Sequence, residues 1–200
     1  MGTQPDKVLS LMRKKGVLRP VDLERAGIPK AVLSRLVERG LATRTGRGLY
    51  VLSDASSVTE HHSLVEAAAR VPKGVVCLLS ALRFHGLTTQ APFEVWLTIP
   101  VKAWTPKVDA PPIRIVRASG LALTEGIEWH RIEGASVPIY SAPKTVADCF
   151  KYRSTVGLDV ALEALGDYLR TRRRNLDELW RHAEICRVKA VMRPYVEALA

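Results

Sequence analysis

Residues 5–52 read PDKVLSLMRKKGVLRPVDLERAGIPKAVLSRLVERGLATRTGRGLYVL, and the pattern of this stretch decides the fold. Val8, Leu9, Leu11 and Met12 form an apolar stripe that predicts a helix over 5–15, stopped by Gly16. Pro20 stands where a first helical turn tolerates proline, and Leu23, Ala26 and Ile28 offer an inward face to a second helix broken at Gly27. Pro29 opens a third helix over 29–39, in which Leu33, Leu36 and Val37 recur at the spacing of one buried face. Gly40 ends it. Two short β-prone runs, 41–44 and 49–52, then flank a glycine-containing turn at 45–48 and predict a hairpin. Helix, tight turn, helix and hairpin is the winged helix-turn-helix plan, whose helix after the turn enters the DNA major groove.

The third helix suits that role. With its apolar residues inward, Lys30, Ala31, Ser34, Arg35 and Glu38 point outward. Lys30 and Arg35 suit phosphates or guanine edges, and Ser34 is short enough to let the backbone approach the groove. Arg44, Thr45 and Arg47 surround the wing turn, where a neighbouring phosphate or the minor groove is in reach. The competing reading is a protein-docking module with solvated charges, and the placement of charge favours DNA.

Charge is unevenly spread along the 200 residues: 1–52 carry +7, 53–150 carry 0 and 151–200 carry +3. A basic N-terminal module beside a neutral middle calls for a polyanion bound by the first module. Cys77, Cys149 and Cys186 lie far apart and pair with no histidine, so buried thiols in a reducing cytoplasm are expected, with neither zinc nor disulfides. No signal peptide and no apolar run of membrane-spanning length is visible, so a soluble cytoplasmic protein is expected.

Residues 53–59 (SDASSVT) form a small-polar connector. The expected organisation is a winged helix over 1–54 and a second domain over 60–200. That second domain starts with a helix over 61–71. An apolar β-capable run over 75–79 follows, then a short helix over 81–85 capped by Ser80. Residues 93–99 (FEVWLTI) alternate and predict a half-buried strand. Further strands are expected at 113–116, 127–132 and 137–140, and helices at 142–152 with Ser141 as its N-cap, 158–171, after Asn175 and over 188–199, where Pro194 interrupts the pattern. The fold class is therefore α+β: an N-terminal winged helix-turn-helix, then a mixed domain with a small sheet and C-terminal helices.

TRTGRGLYVL at 43–52, LLSALRFHGLT at 78–88, FEVWLTIP at 93–100 and IYSAPKTVADCFKY at 139–152 together resemble the AbiEi family, the antitoxin and transcriptional-regulator half of type IV toxin–antitoxin (abortive infection) systems. The order of these segments carries the resemblance over roughly residues 5 to 170. It implies a winged helix that represses its own operon at inverted repeats. It also implies a C-terminal domain that counters a nucleotidyltransferase-like toxin without a stable complex. A stand-alone regulator, or an antitoxin that binds a toxin directly, stays open beside it.

Other candidates are weaker. Arg170, Arg172, Arg173 and Arg174 lie in the densest charge run, RTRRR. A solvated inter-helix loop is the plain reading, and a second anion patch the alternative. His61 and His62 are adjacent, whereas a helical zinc pair needs a spacing of four, so no metal site is expected. No Gly-Ser turn with paired carboxylates, phosphate loop or nucleophile elbow is visible, and neither an enzyme nor a cofactor is expected. Asp148, amid Val146, Ala147, Cys149 and Phe150, is expected to cap a backbone group or to pair with Lys144 or Tyr152. Trp96, Trp129 and Trp180 read as core or interface anchors, and Trp104 as an exposed contact. One winged helix covers a half-site. An inverted repeat therefore takes two copies, monomeric or weakly dimeric in solution and paired on DNA.

Overall fold

A computed structural model describes residues 3–46, 48–53, 59–108 and 110–199. Helix α1 (Gln4–Lys15) starts at a capping box: the Thr3 hydroxyl accepts from the Asp6 backbone N–H, and the Asp6 carboxylate accepts from that of Thr3. Val8 and Met12 are its buried residues, and Leu9 and Leu11 pack partly against the same core. Helix α2 (Pro20–Arg25) follows, with Asp22 accepting the Arg19 N–H at 2.9 Å. Gly27 turns the chain at φ +66° into α3 (Ala31–Glu38). The helix buries Val32, Leu33 and Leu36. Ala26 was expected inward and is exposed, because Ile28 takes the buried place beyond the turn.

Strands β1 (Ala42–Gly46) and β2 (Leu49–Leu52) pair antiparallel, with a register shift between Arg44 and Gly46. Leu18 adds a one-residue third strand, exchanging backbone hydrogen bonds with Tyr50 at 2.8 and 3.0 Å. The result is a winged helix, as the sequence pattern requires.

Helix α4 (His62–Arg70) and the two-residue strand β3 (Val75–Val76) come next. Leu78 and Leu79 belong to α5 (Leu78–His85), capped at Cys77. The expected strand over 75–79 and the Ser80 cap are both corrected: Ser80 lies inside the helix, and its hydroxyl accepts the Trp96 N–H at 3.0 Å. Strands β4 (Val95–Pro100) and β5 (Ile113–Ala118) pair in parallel. Helix α6 (Leu121–Thr124) precedes β6 (Ile127–Ile132) and β7 (Ala135–Tyr140). The helices α7 (Ala142–Lys151), α8 (Arg153–Val156), α9 (Leu158–Arg170), α10 (Leu176–Ile185) and α11 (Lys189–Leu199) complete the chain. Pro194 falls within α11. The sheet order is β5-β4-β3-β7-β6. Strand β4 was expected to be half-buried, yet Val95 to Ile99 are all buried. It has a neighbour on each side and helices α5 and α6 packed on it.

The chain divides into two compact units, 1–72 with 129–137, and 73–128 with 138–200. These differ from a division at 54–60, because α4 and the hairpin tip between β6 and β7 fall in the first unit. In that unit, the tip packs on the end of α1. A Cβ on Gly16, at φ +71°, would overlap the Glu133 carbonyl oxygen and the Ala135 nitrogen. A Cβ on Gly134 would come to 2.6 Å from the Arg13 carbonyl oxygen. Only glycine allows so close a backbone approach at positive φ. In the second unit, α7 packs on α5, α9 and α10 around a core that includes Leu82, Trp96, Phe150, Leu165 and Met192.

Candidate DNA-binding surface

The exposed face of α3 is built by the periodicity of its buried one. Val32, Leu33 and Leu36 anchor it in the winged-helix core, leaving Ala31, Ser34, Arg35 and Glu38 exposed. The helix is entered tightly: Val32 N–H donates to the Pro29 carbonyl at 3.1 Å and Leu33 N–H to that of Lys30 at 2.9 Å. Lys30 already has helical backbone angles, so the expected start at 29 and the observed one at 31 describe one turn.

Arg35 has no ion pair or hydrogen bond through its side chain among the described residues, and its guanidinium is available. Lys30 is differently placed. Its ammonium lies 2.6 Å from Glu24 Oε1 of α2, with both side chains more than half exposed (62% and 53%). An exposed pair of this kind is worth about 0–1 kcal/mol, so a phosphate competes with it readily. Arg44 is exposed on β1 opposite Tyr50. Thr45 lies in the same strand, at the register shift. Arg47 lies outside the described residues. Two exposed cations escaped the sequence pattern, Arg25 in the last turn of α2 and Arg39 at the end of α3. Their signal in the sequence is position alone: Arg25 precedes the Gly27 turn and Arg39 directly follows α3.

The helix before the turn is held by charge. Asp22 binds Lys15 Nζ at 2.7 Å as well as the Arg19 N–H. Burial pushes the Asp22 carboxyl up, but Lys15 and Arg19 outweigh it and hold the group below its usual range.

The arginine run of the second unit is not uniform. Arg170 is tied to Asp167, and Arg174 Nη1 donates to the Leu169 carbonyl at 3.0 Å. Arg172 and Arg173 are exposed and have no ion pair among the described residues. The other candidates resolve into packing. Lys144 is fully buried and bonds Asp148 at 2.5 Å, while the Cys186 thiol donates to the other Asp148 oxygen at 3.1 Å. Burial, with the Asp148 charge second, pushes that thiol up to about 12. All three cysteines are free and buried. His62 Nδ1 lies 2.7 Å from Glu133 in the first unit. No group of three or more histidine, cysteine or carboxylate side chains among the described residues could hold a metal. No helix among them is long and apolar enough to cross a membrane. Trp96 is buried, Trp180 packs partly on the core, and Trp104 is 96% exposed as expected. Trp129, expected as an anchor, is 66% exposed, since it lies on β6 at the sheet edge.

Fold and surface define a winged helix-turn-helix module followed by a mixed α+β unit. Residues 6–53, which span the winged helix, match the family model described as "Transcriptional regulator, AbiEi antitoxin". The fold of the whole chain is similar to the crystal structure of the RV2827C protein from Mycobacterium tuberculosis. The TM-score is 0.56 at 14% identity, covering 100% of this chain and 83% of that one, a likeness of fold alone. No curated protein matches the sequence.

Proposed function

We propose that this chain is a sequence-specific DNA-binding repressor of antitoxin type, which autoregulates its own operon at inverted repeats and counteracts a nucleotidyltransferase-like toxin without a stable complex. The observation that carries the reading is the exposed face of α3, with Ser34 and an uncommitted Arg35, in a stretch that matches the antitoxin-regulator family model. Lys30, Ala31, Ser34 and Arg35 meet the major groove, and Arg44, Thr45 and Arg47 of the wing meet the flanking backbone. Two copies occupy the two half-sites. The test is a salt titration of affinity for the DNA upstream of the gene, against scrambled DNA of equal length. Binding at least about a thousandfold tighter to the upstream fragment supports the repressor. Equal, salt-sensitive binding to both reduces the module to an electrostatic anchor.

Direct binding of a toxin is the second reading, favoured by the almost fully exposed Trp104 and Phe93 in the unit that follows the winged helix. Co-purification with the neighbouring gene product, lost on Trp104→Ala, separates it from the first.

A further inference from the structure

We propose that a cleft within the winged-helix unit binds the phosphate group of a small phosphorylated molecule. The cleft, of about 240 Å³, is lined by the last turn of α1, the start of α2, one side of α4 and the hairpin tip, all in the first compact unit. Four cations face it, Lys14, Lys15, Arg19 and Arg131, against one carboxylate, Asp22. Asp22 is already committed to Lys15 and to the Arg19 backbone. The side-chain charges of Lys14, Arg19 and Arg131 have no ion pair among the described residues. Arg131 is nevertheless held, because its Nη2 donates to the Lys14 carbonyl at 2.7 Å, which leaves the rest of its guanidinium fork for a ligand.

Like charges drawn around a concavity repel one another until an anion enters, and the guanidinium fork matches a phosphate in bidentate geometry. The lining also includes the small or apolar side chains Val65, Ala68 and Ala69, which suit a short carbon body. The volume lies below the usual range of about 300–1,000 Å³ for drug-sized ligands, so a compact ester fits. A DNA backbone also carries phosphates, but the concavity and its apolar lining residues suit a small molecule better. The wall that carries Arg19 and Asp22 is also the first helix of the helix-turn-helix. An occupied cleft would therefore bear on the setting of α3, a consequence that rests on the repressor reading, whereas the binding itself does not.

The test is calorimetric titration of the full chain with phenyl phosphate, inorganic phosphate and phenol, in the absence of DNA. Saturable 1:1 binding of phenyl phosphate is expected, tighter than that of inorganic phosphate, with none for phenol. Lys14→Ala and Arg131→Ala should each weaken it by about tenfold or more, and Arg131→Lys should restore part of the loss. Thermal melts of each variant separate lost binding from lost folding. Absence of saturation in the millimolar range, or unchanged binding in both alanine variants, overturns the proposal. So does a result in which no small phosphate binds while both variants weaken binding to duplex DNA of any sequence, since the phosphate would then be the DNA's. Because the small-phosphate titrations contain no DNA, they succeed or fail independently of the repressor reading, which the upstream-DNA titration decides.

Discussion

Lys30 Nζ and Glu24 Oε1 stand 2.6 Å apart across the turn that joins α2 to α3, so the cation at the start of α3 is masked by a carboxylate of the helix before it. DNA must compete with Glu24 for Lys30. Glu24→Gln removes the competitor and should raise non-specific affinity while steepening the salt dependence by about one counterion. Stability should change by less than about 1 kcal/mol, because the pair is exposed. A salt titration on scrambled DNA reads the first effect and a melt the second. If neither affinity nor slope changes, Glu24 does not withhold Lys30 from phosphate.

Arg35 and Arg39 should separate reading from holding. Arg35→Ala is expected to cost about 1–3 kcal/mol on the cognate site and to relax preference at one base position. Arg39→Ala should weaken all sequences alike and lower the salt slope by about one. Competition binding against a panel of single-base variants of the footprinted site distinguishes the two patterns. Equal loss on every sequence for Arg35→Ala would remove it from base readout.

The outward face of α3 was legible because it follows from a 3.6-residue repeat among near neighbours in sequence. Masking of Lys30 by Glu24 was not, since it depends on how the Gly27 turn orients two helices. The apolar run 75–79 shows a different limit: short apolar segments suit a strand or a buried helix equally, and Leu78 and Leu79 went to α5. Nothing local announces that Leu18 bridges Tyr50, or that residues 129–137 join the winged-helix unit. Those contacts join segments far apart in sequence, and their only sequence trace is a pair of glycines, Gly16 and Gly134, that read equally well as ordinary stops and turns.

That glycine pair gives a sharp expectation. Gly16→Ala must place a Cβ at φ +71° and against the backbone of Glu133 and Ala135, a contact with no flexible atom to yield. The left-handed conformation and the overpacking together should cost about 2–4 kcal/mol. Gly27→Ala serves as the control. Its φ is also positive, +66°, but nothing lies within 4 Å of the added carbon, so the conformational part alone, about 1–2 kcal/mol, is expected. Denaturant melts of both variants test the difference. Equal losses would mean that the hairpin tip does not bear on α1.

Glu133 ties the same tip to the start of α4, and its titration should appear in the acid limb of stability. Burial alone would raise its pKa. The Thr59 N–H at 2.6 Å, the Thr59 hydroxyl at 3.0 Å and His62 at 2.7 Å outweigh that and hold it below its ordinary 4.5. A carboxyl lowered on folding adds stability that is fully present above the unfolded value and is lost as pH falls through the folded one. Glu133→Gln should therefore be less stable than the wild type at neutral pH, with the gap closing below pH 4.5. Melting curves from neutral to acid pH check this, and a gap that stays constant to the acid end would show that Glu133 contributes no proton linkage.

Lys144 and Asp148 should behave as a buried unit. Lys144 is fully buried and Asp148 nearly so, and Asp148 also accepts the Cys186 thiol. Asp148→Asn leaves a buried ammonium without a counter-charge and should cost about 3–5 kcal/mol. Replacing both, as Lys144→Met with Asp148→Leu, removes both desolvation penalties and keeps apolar volume in the core. The double variant should therefore be more stable than Asp148→Asn alone, and a thermodynamic cycle with Lys144→Met and Asp148→Leu as its single variants should give a large coupling between the two positions. If the losses of those singles simply add, the two groups are not acting as a pair, and the buried ammonium draws its stabilisation from its other neighbours, the Tyr140 ring 4.4 Å away and Cys186 Sγ at 4.0 Å.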